Sequence, residues 1–566
     1  MTVRPWRWLV PETDWSAVKR LSEKLKLHRL TAACLMQRGV STVEEARFFL
    51  NGSLTELADP YAMFGMKEAV QRIAKAVAAR ESLLIYGDYD ADGVTSVALL
   101  TQALRKFEVP VEYYIPSRLG DGYGLHGQIL KQFAAGGGRL VLTVDCGINS
   151  FEEMDLTKQL AIDLIVTDHH ESFPGLRSAY AVLNPKQPHC SYPEQNLAGV
   201  GVAWTLVRAL YSHLGVPFAE AAEFLDLVAV GSIADVVPLL GENRLLVKAG
   251  LEELAKGTRP GLAALARLCG SEEGKLTALQ VAFRIAPRLN APGRLGDAFP
   301  AVQALLASPA EAEQLALTLD EKNRLRQHVE KDILEKARNQ AAACDEPALV
   351  LWHQDWHPGV IGIVAGRLAA EFGKPAVLIA LDGEEGRGSI RSVPGCNLME
   401  ALQLCAKQLI RFGGHPEAAG LAVDKANLAQ FQADFCRAVE SQGVKEGKAM
   451  VMAEAEPEDL SLALVKELTR LEPFGQGNPE PLFMLRRLAV LTARKVGAQG
   501  AHLQLRLKKE SLIFNAIFFG GGDKQISTGE TVDAVIVPTA NTWQSKTELS
   551  LQVRALRISP PEQKGF

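Results

Sequence analysis

Three acids at alternate positions stand in Gly87-Asp88-Tyr89-Asp90-Ala91-Asp92-Gly93, after a short apolar run and before a helical pattern. Carboxylates at that spacing converge on a cation if the turn curls around it, and repel one another if it does not. An EF-hand loop also begins D-x-D-x-D-G, but its twelfth position needs a bidentate Glu and here holds Leu99. The preceding element reads as a strand, which excludes the EF-hand a second time. Taken alone, the run also suits an Asp-rich turn that caps the next helix.

Two further apolar runs end in groups able to bind metal: Val141-Leu142-Thr143-Val144-Asp145-Cys146-Gly147 and Ile165-Val166-Thr167-Asp168-His169-His170. In an open α/β sheet the carboxyl ends of parallel strands meet at one edge, so distant sequence positions face one cavity. Imidazoles beside an acidic cluster suit Mn²⁺ or a similar ion. Asp235, in the apolar stretch Gly231-Ser232-Ile233-Ala234-Asp235-Val236-Val237-Pro238, needs a partner, because an unpaired buried carboxylate is costly. So many oxygens and two imidazoles exceed the needs of one ion. They suggest two cations that clamp the attacking and leaving oxygens of a phosphoester, and hence its hydrolysis.

The elements that must position these groups follow from the pattern. Between about 70 and 245, SLLIYGD, VEYYIP, RLVLTVD and DLIVTD alternate with amphipathic stretches, which predicts parallel strands in a doubly wound α/β domain. Residues 318–343, dense in charge and free of Gly and Pro, predict a long connecting helix with Leu325, Val329, Ile333 and Leu334 at helical spacing. A second α/β unit follows: strands ALVLW and AVLIAL, helix GVIGIVAGRLAAEF, glycine-rich GRGSIRS, helix NLMEALQLCAKQLI and loop GGHPEAAG. Beyond about 455 the period shifts towards two, as in a small β-barrel. Over the first seventy residues short helices are expected, one entered at Ser41 with Glu44 as its capping-box partner.

The expected division is thus 1–69 helical, 70–245 catalytic, 246–345 helical with the connecting helix, 346–454 the second α/β domain and 455–566 the β-domain. A chain of 566 residues is long enough for several cores. A net charge of −5 supplies no global field for nucleic acid, so DNA binding would need local basic surfaces. The eight cysteines form no CxxC pair, which speaks against a disulfide framework and a thiolate zinc site. Residues 1–15 offer no apolar signal-peptide core, and no apolar run is long enough to cross a bilayer, so a cytoplasmic protein without membrane partners is expected.

DYDADG at 88–93, VDCG at 144–147, DHH at 168–170 and GSIADVVPL at 231–239 resemble the four ordered motifs of the DHH phosphoesterase superfamily. GRGSIRS at 386–392 and GGHPEAAG at 413–420 resemble its DHHA1 substrate-binding domain. SRLGDGYGLH at 117–126, APRLNAPGR at 286–294, HPGVIGIVAGRL at 357–368 and LEPFGQGNPEP at 471–481 are similar to segments of the RecJ-type exonucleases within that superfamily. The resemblance implies Asp88, Asp90, Asp92, Asp145, His169, His170 and Asp235 as catalytic metal ligands for two Mn²⁺ or Mg²⁺ ions, with Asp168 orienting a histidine. It implies phosphate contacts from Arg288, Arg294, Arg387, Ser389, Arg391, Gly413, Gly414 and His415. It implies an OB-like carboxy-terminal domain where Phe514, Phe518, Phe519 or Trp543 stack on bases, although many such aromatics are simply core.

The activity implied is release of mononucleotides from single-stranded DNA, 5′ to 3′, in recombination and repair, with a single-strand-binding protein and a RecQ-type helicase as partners. Two other readings compete. A nanoRNase, a cyclic-dinucleotide phosphodiesterase or an exopolyphosphatase of the same superfamily would not require the added β-domain. A catalytically silent DNA-binding relative would be expected to have degenerate acidic motifs, and here every one is intact.

Overall fold

The computed structural model describes residues 7–118, 120, 122, 124–172, 179–271, 276–443, 448–543 and 546–560. The chain forms two compact units, one of Leu54–Glu446 and one that joins Met1–Ser53 to Gly447–Phe566.

The larger unit is built on a five-stranded parallel sheet. Its strands lie in the order Val111–Tyr114, Leu83–Gly87, Leu140–Val144, Asp163–Thr167 and Ala181–Leu183. The central strands are buried along their whole length, as near-continuous apolar runs in a parallel sheet must be. Ile85, Leu142 and Ile165 pack on one face, and Leu84, Val141 and Leu164 on the other. The first strand in sequence has its successor on one side and the third strand on the other, so the order reverses between Leu83–Gly87 and Leu140–Val144. Register sets Gly87 beside Val144 and Val144 beside Thr167, which brings Asp88, Asp145 and Asp168 out one residue later at one edge. The helix Leu225–Ala234 is apolar on every side and is therefore buried, carrying Asp235 at its carboxyl end.

The long helix spans Ala312–Ala342, beginning six residues earlier than its charge pattern suggests. A second sheet follows, in the order Leu409–Gly414, Ala418–Asp424, Glu385–Arg391, Ala376–Asp382, Leu349–His353, parallel only in its last pair. Two expectations are corrected here. The GGHPEAAG segment, expected as a loop, is mostly strand. The glycine-rich GRGSIRS is strand as well, and a Cβ at Gly386 or Gly388 would come within 2.6 Å of Ile379 or 2.7 Å of Leu421, so these two glycines serve close packing. The helix expected over 397–410 stops at Leu404, and the chain turns extended at Leu409 to pair with Val423.

In the smaller unit Phe483–Val496, His502–Lys509, Leu512–Phe518, Lys546–Ile558 and Thr531–Trp543 close on themselves as a five-stranded barrel. Alternation turns Leu503, Leu505 and Leu507 inward. The amino-terminal helices are tied to this unit: Arg29 Nε donates to Asp459 at 2.7 Å, and the His28 amide to Glu467 at 2.7 Å. The cap expected at Ser41 falls one residue later. Thr42 caps Val43–Asn51, and Glu45 is its reciprocal partner, accepting from the Ser41 and Thr42 amides. All eight cysteines are free thiols, six of them buried. Among the described residues no helix is long and apolar enough to cross a membrane.

Candidate metal centre

The acidic turn is shaped by the amides of the helix it opens. Asp90 caps Ala91–Arg105, its Oδ1 accepting from the Asp92 and Gly93 amides at 2.9 and 3.1 Å. A later helix, Gly199–His213, points its first amides at Asp92: Gly199 N donates to Oδ2 at 2.6 Å and Val200 N to Oδ1 at 2.8 Å. Glycine is required at two of these contacts. A Cβ at Gly199 would lie 2.7 Å from that of Asp145, and one at Gly93 would lie 2.4 Å from the Asp88 carbonyl oxygen.

Asp145 leaves its strand with φ of +60°, a strained conformation for a residue other than glycine. His169 presents Nε2 to three carboxylates, 3.0 Å from Asp145, 3.8 Å from Asp92 and 3.7 Å from Asp235. Asp168 is fully buried and spends its oxygens within the protein. Oδ1 accepts from the His169 and His170 amides and meets His170 Nδ1 at 2.7 Å, while Oδ2 accepts from Ile148 N at 2.9 Å. It orients the His170 ring, and a cation would have to be met by His170 through Nε2.

Potential ligand atoms fall into three overlapping groups, each within 4.8 Å: Asp88, Asp90 and Asp145; Asp145, His169 and His170; Asp92, His169 and Asp235. The first and last share no residue and are joined through the middle one, as two neighbouring cations would require. The electrostatics demand positive charge. Burial and their acidic neighbours raise Asp88, Asp92 and Asp145 well above the usual carboxylate range. Asp235 is pushed up to about 7 by burial and by Asp90. Burial and His170 take His169 down to about 3, which keeps it the neutral imidazole that metals bind. Burial opposes a charge on His170, but Asp168 overrides it and raises His170 to about 9. Asp88 Oδ1 and His169 Nε2 are buried polar atoms with no hydrogen-bond partner among the described residues. Oxygen-rich ligation with two imidazoles fits Mn²⁺ or Mg²⁺.

A cationic group adjoins the acids. Burial and Arg118 depress both Arg294, to about 10, and Arg391. Arg118 also lies 5.1 Å over the ring of Tyr89, within the acidic turn. Sequence reasoning missed Arg118, and its only signal was a place in the SRLGDGYGLH segment, of which Leu119, Asp121 and Tyr123 lie outside the described residues. Guanidinium groups that depress one another are suited to a shared anion.

The remaining candidates divide. Ser389 and Arg391 share one face of their strand, and Arg391 Nη1 donates to Ser389 Oγ at 3.2 Å. Register lines up Gly413, Gly420 and Ser389 across three strands. Gly414 ends its strand, and His415 is exposed in the turn that leads to Ala418, opposite Arg391. Arg387 is exposed on the same strand face as Ser389. Arg288 stands apart. It is bound to Asp320 at 2.6 Å and ties the helix Ala286–Leu295 to the long helix, so its guanidinium is occupied structurally. In the barrel Phe514 and Phe518 are buried core, whereas Phe519 is 55% exposed; the side chain of Trp543 lies outside the described residues.

The parallel sheet, its acidic edge and the adjoining mixed sheet define a DHH-family protein. The model of the DHH family, N-terminal domain, matches residues 82–232, that of the DHHA1 domain 345–441 and that of the RecJ OB domain 452–555. Two curated relatives share the name single-stranded-DNA-specific exonuclease RecJ. The Bacillus subtilis protein is 37% identical over 98% of this chain and 71% of its own, and the Escherichia coli protein is 32% identical over 94% and 93%. The crystal structure of RecJ from Thermus thermophilus in complex with Mn²⁺ superposes with a TM-score of 0.86 at 33% identity, covering 98% of this chain and 80% of that one. The same protein has been solved with Mg²⁺, at a TM-score of 0.79. This chain belongs to the RecJ family of single-stranded-DNA-specific exonucleases.

Proposed function

We propose that this chain is an exonuclease that hydrolyses single-stranded DNA at a two-metal centre and releases mononucleotides from the 5′ end. The observation that carries the reading is the junction of two ligand groups, through Asp145 and His169, beside Arg118, Arg294 and Arg391. Acids that need cations next to guanidinium groups that need an anion form a place for a phosphodiester.

Asp88, Asp90, Asp92, Asp145, His169, His170 and Asp235 would hold the ions, and bound divalent cations would supply an activated water and neutralise charge on the phosphoryl oxygens. The protein's own work is placement. Asp168 fixes the His170 ring, and the first amides of Gly199–His213 fix Asp92. Arg391, aligned with Ser389, and Arg118 would grip phosphate oxygens through charge-assisted hydrogen bonds, with His415, Arg387, Gly413, which has open space where a Cβ would stand, and Gly414 as further contacts. The barrel would bind single-stranded DNA in its own right, with Phe519 as an exposed stacking side chain.

The 5′ to 3′ direction, a cytoplasmic role in recombination and repair, and work alongside a single-strand-binding protein and a RecQ-type helicase complete the reading as expectations of the resemblance; the relatives' shared name supports the single-strand specificity. The test uses single strands labelled at either end and incubated with Mn²⁺. Labelled mononucleotide should appear first from the 5′-labelled strand. Earlier release from the 3′ label, or equal attack on blunt duplex, would overturn the polarity and the single-strand preference.

A further inference from the structure

The first helix after the acidic turn, Ala91–Arg105, has a divided cap. Its Asp92 and Gly93 amides are taken by Asp90 Oδ1, and its Val94 amide by the Asp90 carbonyl. The remaining first-turn amide, Ala91 N, is satisfied from elsewhere in the chain: it donates to Asn290 Oδ1 at 2.9 Å, across 199 residues. Asn290 sits on Ala286–Leu295, and the same helix presses on the turn a second time through Gly293. A Cβ added there would stand 2.4 Å from the Tyr89 carbonyl oxygen. The helix is itself anchored by Arg288 to Asp320 on the long helix.

We propose that Asn290 is a positioning residue for the metal centre, one that holds the Asp88–Asp92 turn in the shape its carboxylates need. This rests on the metal-centre reading above. Without Asn290, Ala91 N becomes a third first-turn amide with a claim on the Asp90 carboxylate, which already serves two. Asp90 would then turn towards the helix and away from Asp88 and Asp145, the two residues with which it forms a ligand group. Only an acceptor is needed from Asn290, because its contact to the turn is made through Oδ1. An aspartate of the same shape should therefore substitute for it, and an apolar leucine should not.

The test measures Mn²⁺ binding to the full-length, metal-free chain by calorimetry, with Mn²⁺ electron paramagnetic resonance as the spectroscopic readout. Asn290→Leu should weaken binding on the order of 10- to 100-fold, as loss of a group supporting a ligand does, while Asn290→Asp stays within about threefold of the parent. If Asn290→Leu does not fold, Asn290→Ser, whose hydroxyl is too short to reach Ala91, takes its place in the comparison. Binding by Asn290→Leu equal to the parent, or equal losses in the leucine and aspartate variants, would overturn the role. Failure of the parent to bind Mn²⁺ would instead overturn the metal centre, and the positioning role with it.

Discussion

Asp168 Oδ1 lies 2.7 Å from His170 Nδ1, and this buried carboxylate raises the neighbouring imidazole to about 9. A proton on His170 competes with a metal ion. Mn²⁺ binding should therefore tighten as pH rises towards 9, and Asp168→Asn, which removes the charge that holds the proton, should move that midpoint lower. Calorimetric titrations from about pH 6 to about pH 9.5, bracketing the free and raised histidine values, check both shifts.

Without metal the same groups destabilise the fold as pH rises. Asp235 goes from 3.8 to about 7, so the folded chain keeps a proton that the unfolded chain releases, and stability falls across that interval. His170, raised from 6.5 to about 9, contributes stability below 6.5 that is lost as pH rises through 9. His169, taken from 6.5 down to about 3, runs the other way and offsets Asp235 below 6.5. The metal-free protein should therefore melt at progressively lower temperature from about pH 6.5 to about pH 9, and Mn²⁺ should raise the melting temperature more at about pH 7.5 than at about pH 5. Scanning fluorimetry reads both.

Asp90→Ala and His169→Ala should abolish hydrolysis, a loss on the order of 1000-fold or more, yet leave single-strand binding largely intact, because the arginine group and the barrel supply none of the ligand atoms. Filter binding and single-turnover cleavage of the same oligonucleotide test it. Substantial cleavage by both variants would count against the ligand assignment.

Two arginines in similar motifs should behave differently. Arg391→Ala, and likewise Arg118→Ala, should cost about 1–3 kcal/mol in DNA binding with little change in stability. Arg288→Ala leaves the buried Asp320 with Arg324, 2.7 Å away, as its remaining partner, and should instead lower stability by about 1–3 kcal/mol. Urea unfolding beside DNA titration separates the two effects.

Phe519→Ala should weaken single-strand binding by about 1–3 kcal/mol, the worth of one stacked base. Phe518→Ala, in the barrel core, should cost about 3–5 kcal/mol of stability instead. Equal affinity of the folded Phe519 variant and the parent would remove Phe519 from the DNA path.

The sequence by itself determined the strands and their acidic ends, because a strand buried on both faces must be an unbroken apolar run, and carboxylates massed at its end have no purpose without a cation. It determined the barrel for a similar reason, since alternation of period two survives translation into structure directly. Local chemistry of this kind depends on neighbours a few residues apart. Segments balanced between two local preferences were less legible: 409–410 continues a helical pattern, but pairing with Ala418–Asp424 draws Leu409–Gly414 into a sheet. The Ser41 cap shifted by one residue because two adjacent hydroxyls, each followed three residues later by Glu, offer nearly equal caps.

What only the tertiary structure decided is which polar groups are already spent. Arg288 and Arg391 look alike in sequence, but Asp320, in a helix 32 residues away, claims the first. Asp168 and Asp145 both end strands, yet one turns its oxygens onto backbone amides and a histidine while the other meets His169 Nε2. Arg118 and Asn290 join the site by contacts across long stretches of chain, Asn290 reaching an amide 199 positions away. Each hydrogen bond or ion pair consumes a donor or acceptor once, and a sequence records the groups present without recording which partner consumes them.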